Sequence, residues 1–230
     1  MEGTSSNLDV FAATLIEAAK ADRSILVVTS DSRGSGRLAP FAAAVPEQII
    51  EVGIAEQNLV GISAGLTAAG KKVFAVSPAC FLTARALEQI KNDVCYSDRT
   101  VKVVGISAGV SYGALGSTHH SLHDFAALRA IHNITIVAPA DDFETREAVQ
   151  AALRLDKPIY LRFGKKVMPH LPRANSHFEL GHASLVRNGK DLAFLSSGET
   201  VVPALEAAEL LAAEGVDCRV LSFHTVKPLD

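Results

Sequence analysis

Between Ile49 and Gly70 the chain reads I-I-E-V-G-I-A-E-Q-N-L-V-G-I-S-A-G-L-T-A-A-G. The apolar start predicts the end of a short buried strand, Ile49 to Val52. Gly53 supplies a turn, and the Ala-, Gly- and Leu-rich remainder predicts a helix. Glu56 falls on the first turn of that helix, where the helix dipole favours a carboxylate, so an ordinary helix start accounts for its position. Two features point further. Open α/β sheets bind their ligands at the carboxyl ends of parallel strands, which is where this junction lies. From Leu59 to Gly70 the helix carries no charge, and the small residues Gly61, Ser63, Ala64 and Gly65 allow close approach. A carboxylate leading into such a helix is expected to be buried, the setting in which carboxyl groups become working acids.

The flanking sequence repeats the pattern. Leu8 to Ala21 has helical apolar spacing, and Ser24 to Thr29 (S-I-L-V-V-T) is the continuous apolar run of a strand buried on both faces. Further strands are expected at Lys72–Ser77, Val101–Ser107, Ile134–Ala138 and Ile159–Phe163. Helices are expected at Phe81–Cys95, at Leu122–Ile131 and from a cap at Asp142 to Leu155. Strands alternating with helices predict an α/β fold: a mostly parallel sheet covered by helices on both faces, with right-handed crossovers. After Gly164 the periodicity stops in K-K-V-M-P-H-L-P-R-A-N-S-H. Residues 1–164 therefore read as one domain and 165–179 as a linker. Residues 180–230 read as the start of a second α/β domain, a βαβ unit that cannot cover both faces of its two strands and so looks incomplete.

Composition narrows the function. The 230 residues are 48% hydrophobic and 20% charged, with net charge -3 and no basic run, which gives no basis for nucleic-acid binding. No apolar run has the length of a membrane span, and the polar start M-E-G-T-S-S-N is not a signal peptide. Cys80, Cys95 and Cys218 are scattered, odd in number and never C-x-x-C, as expected of a reduced cytoplasmic protein.

Two loops join Glu56 as candidates. S-D-S-R-G-S-G-R, with Asp31, Ser35 and Arg37, is Gly-rich at a strand end and suits an anion, although it matches neither nucleotide fingerprint and an ordinary solvated loop explains it as well. G-S-T-H-H-S-L-H-D, Gly116 to Asp124, places His119 and His123 four apart. With no third ligand at a recognisable spacing, a zinc pair is the weaker reading and hydrogen bonding or proton transfer the stronger.

In order, E-V-G-I-A-E-Q-N, F-L-T-A-R-A-L-E-Q-I, G-S-T-H-H-S-L-H-D-F-A-A-L-R-A-I and I-V-A-P-A-D-D-F-E-T resemble the pyrimidine-binding half of the transketolase family, and are similar also to 1-deoxyxylulose-5-phosphate synthase. The resemblance covers Leu8 to Gly164, and the tail from Asp191 resembles the family's third domain. It implies a thiamine diphosphate-binding fold and two-carbon ketol transfer from a ketose to an aldose. By the same resemblance, Glu56 matches the glutamate at N1′ of the cofactor's pyrimidine, Phe81 the aromatic stacked on that ring and Asp31 an aspartate near the thiazolium. Ser35 matches a residue near the sugar phosphate, and His119 a histidine on the donor's oxygens. Lys165 stands near a phosphate-binding arginine, with Arg162 as its rival.

The departures carry further implications. Leu115 stands where many transketolases have an aspartate that contacts the acceptor's 2-hydroxyl, and S-S-N-L-D-V-F lacks an arginine often found there. The chain has no G-D-G with a downstream Asn, the family's magnesium and diphosphate motif. Mg²⁺ and the diphosphate are therefore expected on an N-terminal partner subunit, as in split transketolases, within an α2β2 heterotetramer that self-associates about a twofold axis. The alternatives are a 1-deoxyxylulose-5-phosphate synthase-like enzyme, a 2-oxo acid dehydrogenase β subunit and, from another class, a non-catalytic binding or regulatory module.

Overall fold

The computed structural model describes residues 3–173 and 177–230; residues 174–176, inside the expected linker, lie outside the described residues. A short strand β1 (Gly3–Ser6) leads into helix α1 (Asn7–Ala21), which Ser6 caps by accepting from the Asp9 N–H at 3.3 Å. Then follow β2 (Ile25–Thr29), α2 (Ala39–Ala44), β3 (Ile49–Glu51), α3 (Glu56–Ala68), β4 (Lys72–Pro78), α4 (Ala79–Arg85) and α5 (Leu87–Gln89). A π-helical turn at Ile90–Tyr96 precedes β5 (Lys102–Ile106), α6 (Asp124–Arg129), β6 (Thr135–Val137), α7 (Asp142–Arg154) and β7 (Ile159–Arg162). The chain ends with β8 (Val167–Pro169), β9 (Ser184–Arg187), β10 (Leu192–Ser196), α8 (Val201–Ala213), β11 (Cys218–Ser222) and β12 (Thr225–Lys227).

The main sheet has seven strands in the order β12-β6-β7-β5-β4-β2-β3. All pairs are parallel except β12 with β6. Alternation along the strands sorts side chains into two cores. Phe74 and Val76 of β4 face α1 and α7 with Phe11, Leu15 and Phe163, and Val73 and Ala75 face Leu59, Leu82 and Leu128 on the other side. Phe11 packs 6.0 Å from Phe74 and 5.2 Å from Phe163, centroid to centroid. A third core, with Leu171, Val186, Val201, Leu205 and Val220, underlies the three-stranded sheet β10-β11-β9.

From β2 the chain crosses to β3 on one side and then returns to β4 on the other. The β2/β4 crevice is thus the topological switch point, and the loop after β2 and helix α4 border it. There the buried Ser30 hydroxyl donates to the Ser77 hydroxyl at 2.7 Å, tying the two strand ends together.

Several local expectations are corrected. The helix expected over Phe81–Cys95 is broken after Arg85 and ends in a π turn. Asp141, not Asp142, caps α7, accepting from the Glu144 N–H at 3.0 Å. Within 165–179, β8 pairs antiparallel with β1. The final strand β12 returns to the main sheet beside β6, joining residues past 180 to the first sheet.

Candidate active site

Glu56 opens α3 directly, with no side-chain cap, and is buried at 4% exposure. Its partner is Arg85, at the end of α4, whose Nη1 lies 3.0 and 3.2 Å from the two carboxylate oxygens. A buried carboxylate requires such a counter-charge. The Arg85 guanidinium carbon also lies 4.4 Å from the centroid of the Phe81 ring, one helical turn back on α4.

From Phe81 the contacts continue across the crevice. The His119 ring meets Phe81 edge-on at 5.3 Å and Tyr112 at the same distance, and the Lys165 ammonium lies 4.8 Å over the Tyr112 ring. Burial raises the Tyr112 phenol's pKa against the opposing influence of the Ser107 and Ser35 hydroxyls, so it stays protonated at neutral pH. Glu56, Phe81, His119, Lys165 and Ser35, drawn from five separate segments, thus form one continuous surface. A depression of about 370 Å³ lined by Ser117, His120, Leu122 and His123 adjoins it.

Asp31 and Arg162 stand differently. Asp31 is exposed with φ 51°, and its N–H donates at 2.6 Å to Glu51, which also accepts from Gly53 N–H at 3.1 Å. Glu51 therefore fastens the loop after β2 to the turn that leads to Glu56. Arg162 is committed inward: its Nε donates to Asp124 at 2.7 Å, and its guanidinium lies 4.5 Å over Phe125. The two histidines have different partners: His119 packs against Phe81 and Tyr112, and His123 contacts the Thr83 hydroxyl at 3.2 Å.

Sequence reasoning does not single out Tyr112, Arg85, Asp124 or Glu51. Arg85 has a signal, because F-L-T-A-R places it four residues after Phe81 on one helix face. Tyr112 sits in an irregular loop where no periodicity points to it. A separate groove of about 840 Å³ between α1 and α7, lined in part by Asp9, Glu17, Arg146 and Arg154, shares no residue with this surface.

Comparison with known proteins places the chain in a family. Residues 5–170 match the transketolase pyrimidine-binding domain and residues 181–230 the transketolase C-terminal domain. An apulose-4-phosphate transketolase subunit from Phocaeicola vulgatus is 47% identical over 222 residues, covering 96% of this chain and 71% of the relative. A 6-deoxy-6-sulfo-D-fructose transketolase subunit from Clostridium sp. (strain MSTE9) is 36% identical, covering 96% and 69%. Among solved structures, an inactive beta4 tetramer of a split-gene transketolase superposes with a TM-score of 0.89 at 34% identity, over 99% of this chain and 73% of that one. The chain therefore belongs to the transketolase family, as a pyrimidine-binding domain followed by C-terminal-domain residues, the portion it shares with these split-transketolase relatives.

Proposed function

We propose that this chain is the small subunit of a two-component transketolase that moves a two-carbon ketol unit from a ketose phosphate, or a comparably anionic ketose, to an aldose. The observation that carries the reading is that a buried carboxylate, Glu56, and an aromatic ring, Phe81, lie close enough for one guanidinium, that of Arg85, to touch both. A buried carboxyl group beside a flat apolar ring fits an aminopyrimidine, whose ring nitrogen can share a proton with the first and whose π face can lie against the second.

Thiamine diphosphate, when bound, supplies the nucleophilic carbon that accepts and hands on the two-carbon unit. The chain's own part is to hold it and to manage protons. Glu56 keeps a hydrogen bond at the pyrimidine's ring nitrogen, and burial shields that bond from water. Phe81 fixes the plane of the ring, and Asp31 borders the thiazolium side. His119, held edge-on between Phe81 and Tyr112, presents its imidazole to the donor sugar's oxygens. Ser35 and Lys165 take the sugar's anionic end; Arg162, occupied by Asp124, supports the loop that carries His119. The two relatives are named for a sugar phosphate and a sulfo-sugar, both anionic, which suits Lys165.

Mg²⁺ and the diphosphate are assigned to the N-terminal partner subunit, because this chain lacks the G-D-G motif. The working form is a cytoplasmic heterotetramer in which two small subunits pair about a twofold axis. Glu56→Gln in the reconstituted complex should lower kcat for ketol transfer by about 10²–10⁴-fold, the range for a lost proton-transfer group. Turnover close to wild type would remove Glu56 from the chemistry.

A further inference from the structure

Arg85 touches both residues assigned to the pyrimidine. Its Nη1 donates to both oxygens of Glu56, and its planar guanidinium lies 4.4 Å over Phe81. These are the same two interactions, a hydrogen bond to the carboxylate and contact with the aromatic ring, that a planar, N–H-bearing heterocycle would make there. The two ends of the pair differ sharply: the Glu56 side chain is 5% exposed and that of Arg85 50%. One partner is fixed in the protein, and the other reaches it from solvent.

We propose that Arg85 is a placeholder for the cofactor's pyrimidine. In the unloaded subunit it keeps the buried Glu56 carboxylate paired, and binding of the cofactor displaces it towards water. This rests on the reading of Glu56 and Phe81 as the pyrimidine site. An unpaired carboxylate in the interior is strongly destabilising, so a subunit that folds before it is loaded needs a counter-charge at Glu56. A half-exposed guanidinium meets that need and keeps a route back to water, where its attraction is screened. The consequence is a reduced apparent affinity for the cofactor, because only molecules with Arg85 withdrawn are competent to bind it. α4 ends at Arg85, and the helix does not continue regularly beyond it, so the side chain stands at a helix terminus with room to swing.

The test is calorimetric titration of thiamine diphosphate with Mg²⁺ into the complex of this chain and its partner subunit, comparing wild type, Arg85→Gln and Arg85→Lys. Inorganic diphosphate with Mg²⁺ serves as a probe that lacks the pyrimidine. Arg85→Gln should bind the cofactor about tenfold tighter, as expected when a dominant competing state is removed, with diphosphate affinity unchanged. Arg85→Lys keeps the charge without the planar fork, and should fall between the two. If Arg85→Gln does not fold, tighter binding by Arg85→Lys alone sustains the proposal. Equal or weaker binding in the variants, or an equal change for diphosphate, would overturn it and make Arg85 a support for Glu56. A wild-type complex that binds diphosphate but not the cofactor would overturn the pyrimidine site itself, and the placeholder with it.

Discussion

At the scale of single residues, β5 and β7 constrain each other closely at Gly105. A Cβ there would stand 2.2 Å from the Tyr160 hydroxyl and 2.8 Å from two of its ring carbons. Tyr160 is fully buried, and its hydroxyl donates to Asp124 at 2.9 Å, the same carboxylate that holds Arg162. Gly105→Ala must push Tyr160 aside in a packed core, and it strains that hydrogen bond as well. Overpacking and a lost buried bond together should cost about 2–4 kcal/mol, read as a shift in the urea midpoint with unchanged slope. A loss under about 0.5 kcal/mol would mean that the β5–β7 contact yields easily and carries little of the fold's stability. Residues of this kind were only partly legible in the sequence. Glu56 and His119 stand in local patterns that mark them as candidates, and Phe81 is singled out only through the family resemblance of its motif. The partners that hold the site in place, Arg85 to Glu56, Asp124 to Arg162 and Glu51 to Asp31, join positions that are 29, 38 and 20 residues apart, and no local pattern encodes such pairings.

At the scale of elements, the long apolar strands and amphipathic helices were legible, because burial on both faces leaves a continuous hydrophobic run. The short strands β1, β8 and β12 were not, since each has three or four residues and owes its conformation to a partner distant in sequence. The same holds for the polar junction between the two sheets. Asp141 caps α7 and also accepts from Leu171 N–H at 3.0 Å and Arg173 at 2.8 Å; Glu144 accepts from Ala140 N–H at 2.9 Å and from the Ser222 hydroxyl of β11 at 3.0 Å. Burial, opposed by the Ala140 hydrogen bond, raises the Glu144 pKa from 4.5 to about 7. A carboxyl group whose folded pKa is raised binds its proton more tightly in the folded state. Its contribution is complete below the unfolded pKa and is lost as pH rises through about 7. Glu144 should therefore contribute a negative slope to the unfolding free energy between roughly pH 4.5 and 7, at most about 1.4 kcal/mol per pH unit for one proton. Buried His224, whose pKa burial lowers to about 4, contributes the opposite slope over nearly the same range. Glu144→Gln, which cannot titrate, should therefore leave a more positive slope than wild type in paired denaturation curves, and identical slopes would place the titration elsewhere.

At the scale of the whole molecule, the segments that carry the candidate site also carry exposed apolar side chains. Ile54, two residues before Glu56, is 73% exposed, and Leu122, beside the histidine loop, 71%; Val110 and Leu115 of that loop are 60% and 56% exposed. Single exposed apolar side chains need no explanation, but four large ones on the segments that carry the site suit contact with another chain. Among the described residues no helix is long and apolar enough to cross a membrane. The partner subunit that completes the cofactor site is the occupant consistent with the proposed function. Ile54 decides the question best, because it sits on the β3–α3 turn and contributes nothing to the buried cores. Ile54→Asp should leave the thermal stability of the lone chain nearly unchanged. It should weaken association with the partner by about 30-fold, the equivalent of losing roughly 2 kcal/mol of apolar burial and setting a charge in the interface. Sedimentation velocity of the mixed subunits reads this directly, and the same samples report whether cofactor binding falls in parallel. If Ile54→Asp assembles with wild-type affinity, the partner docks on another face, and Glu56 would not lie at the boundary between the two chains.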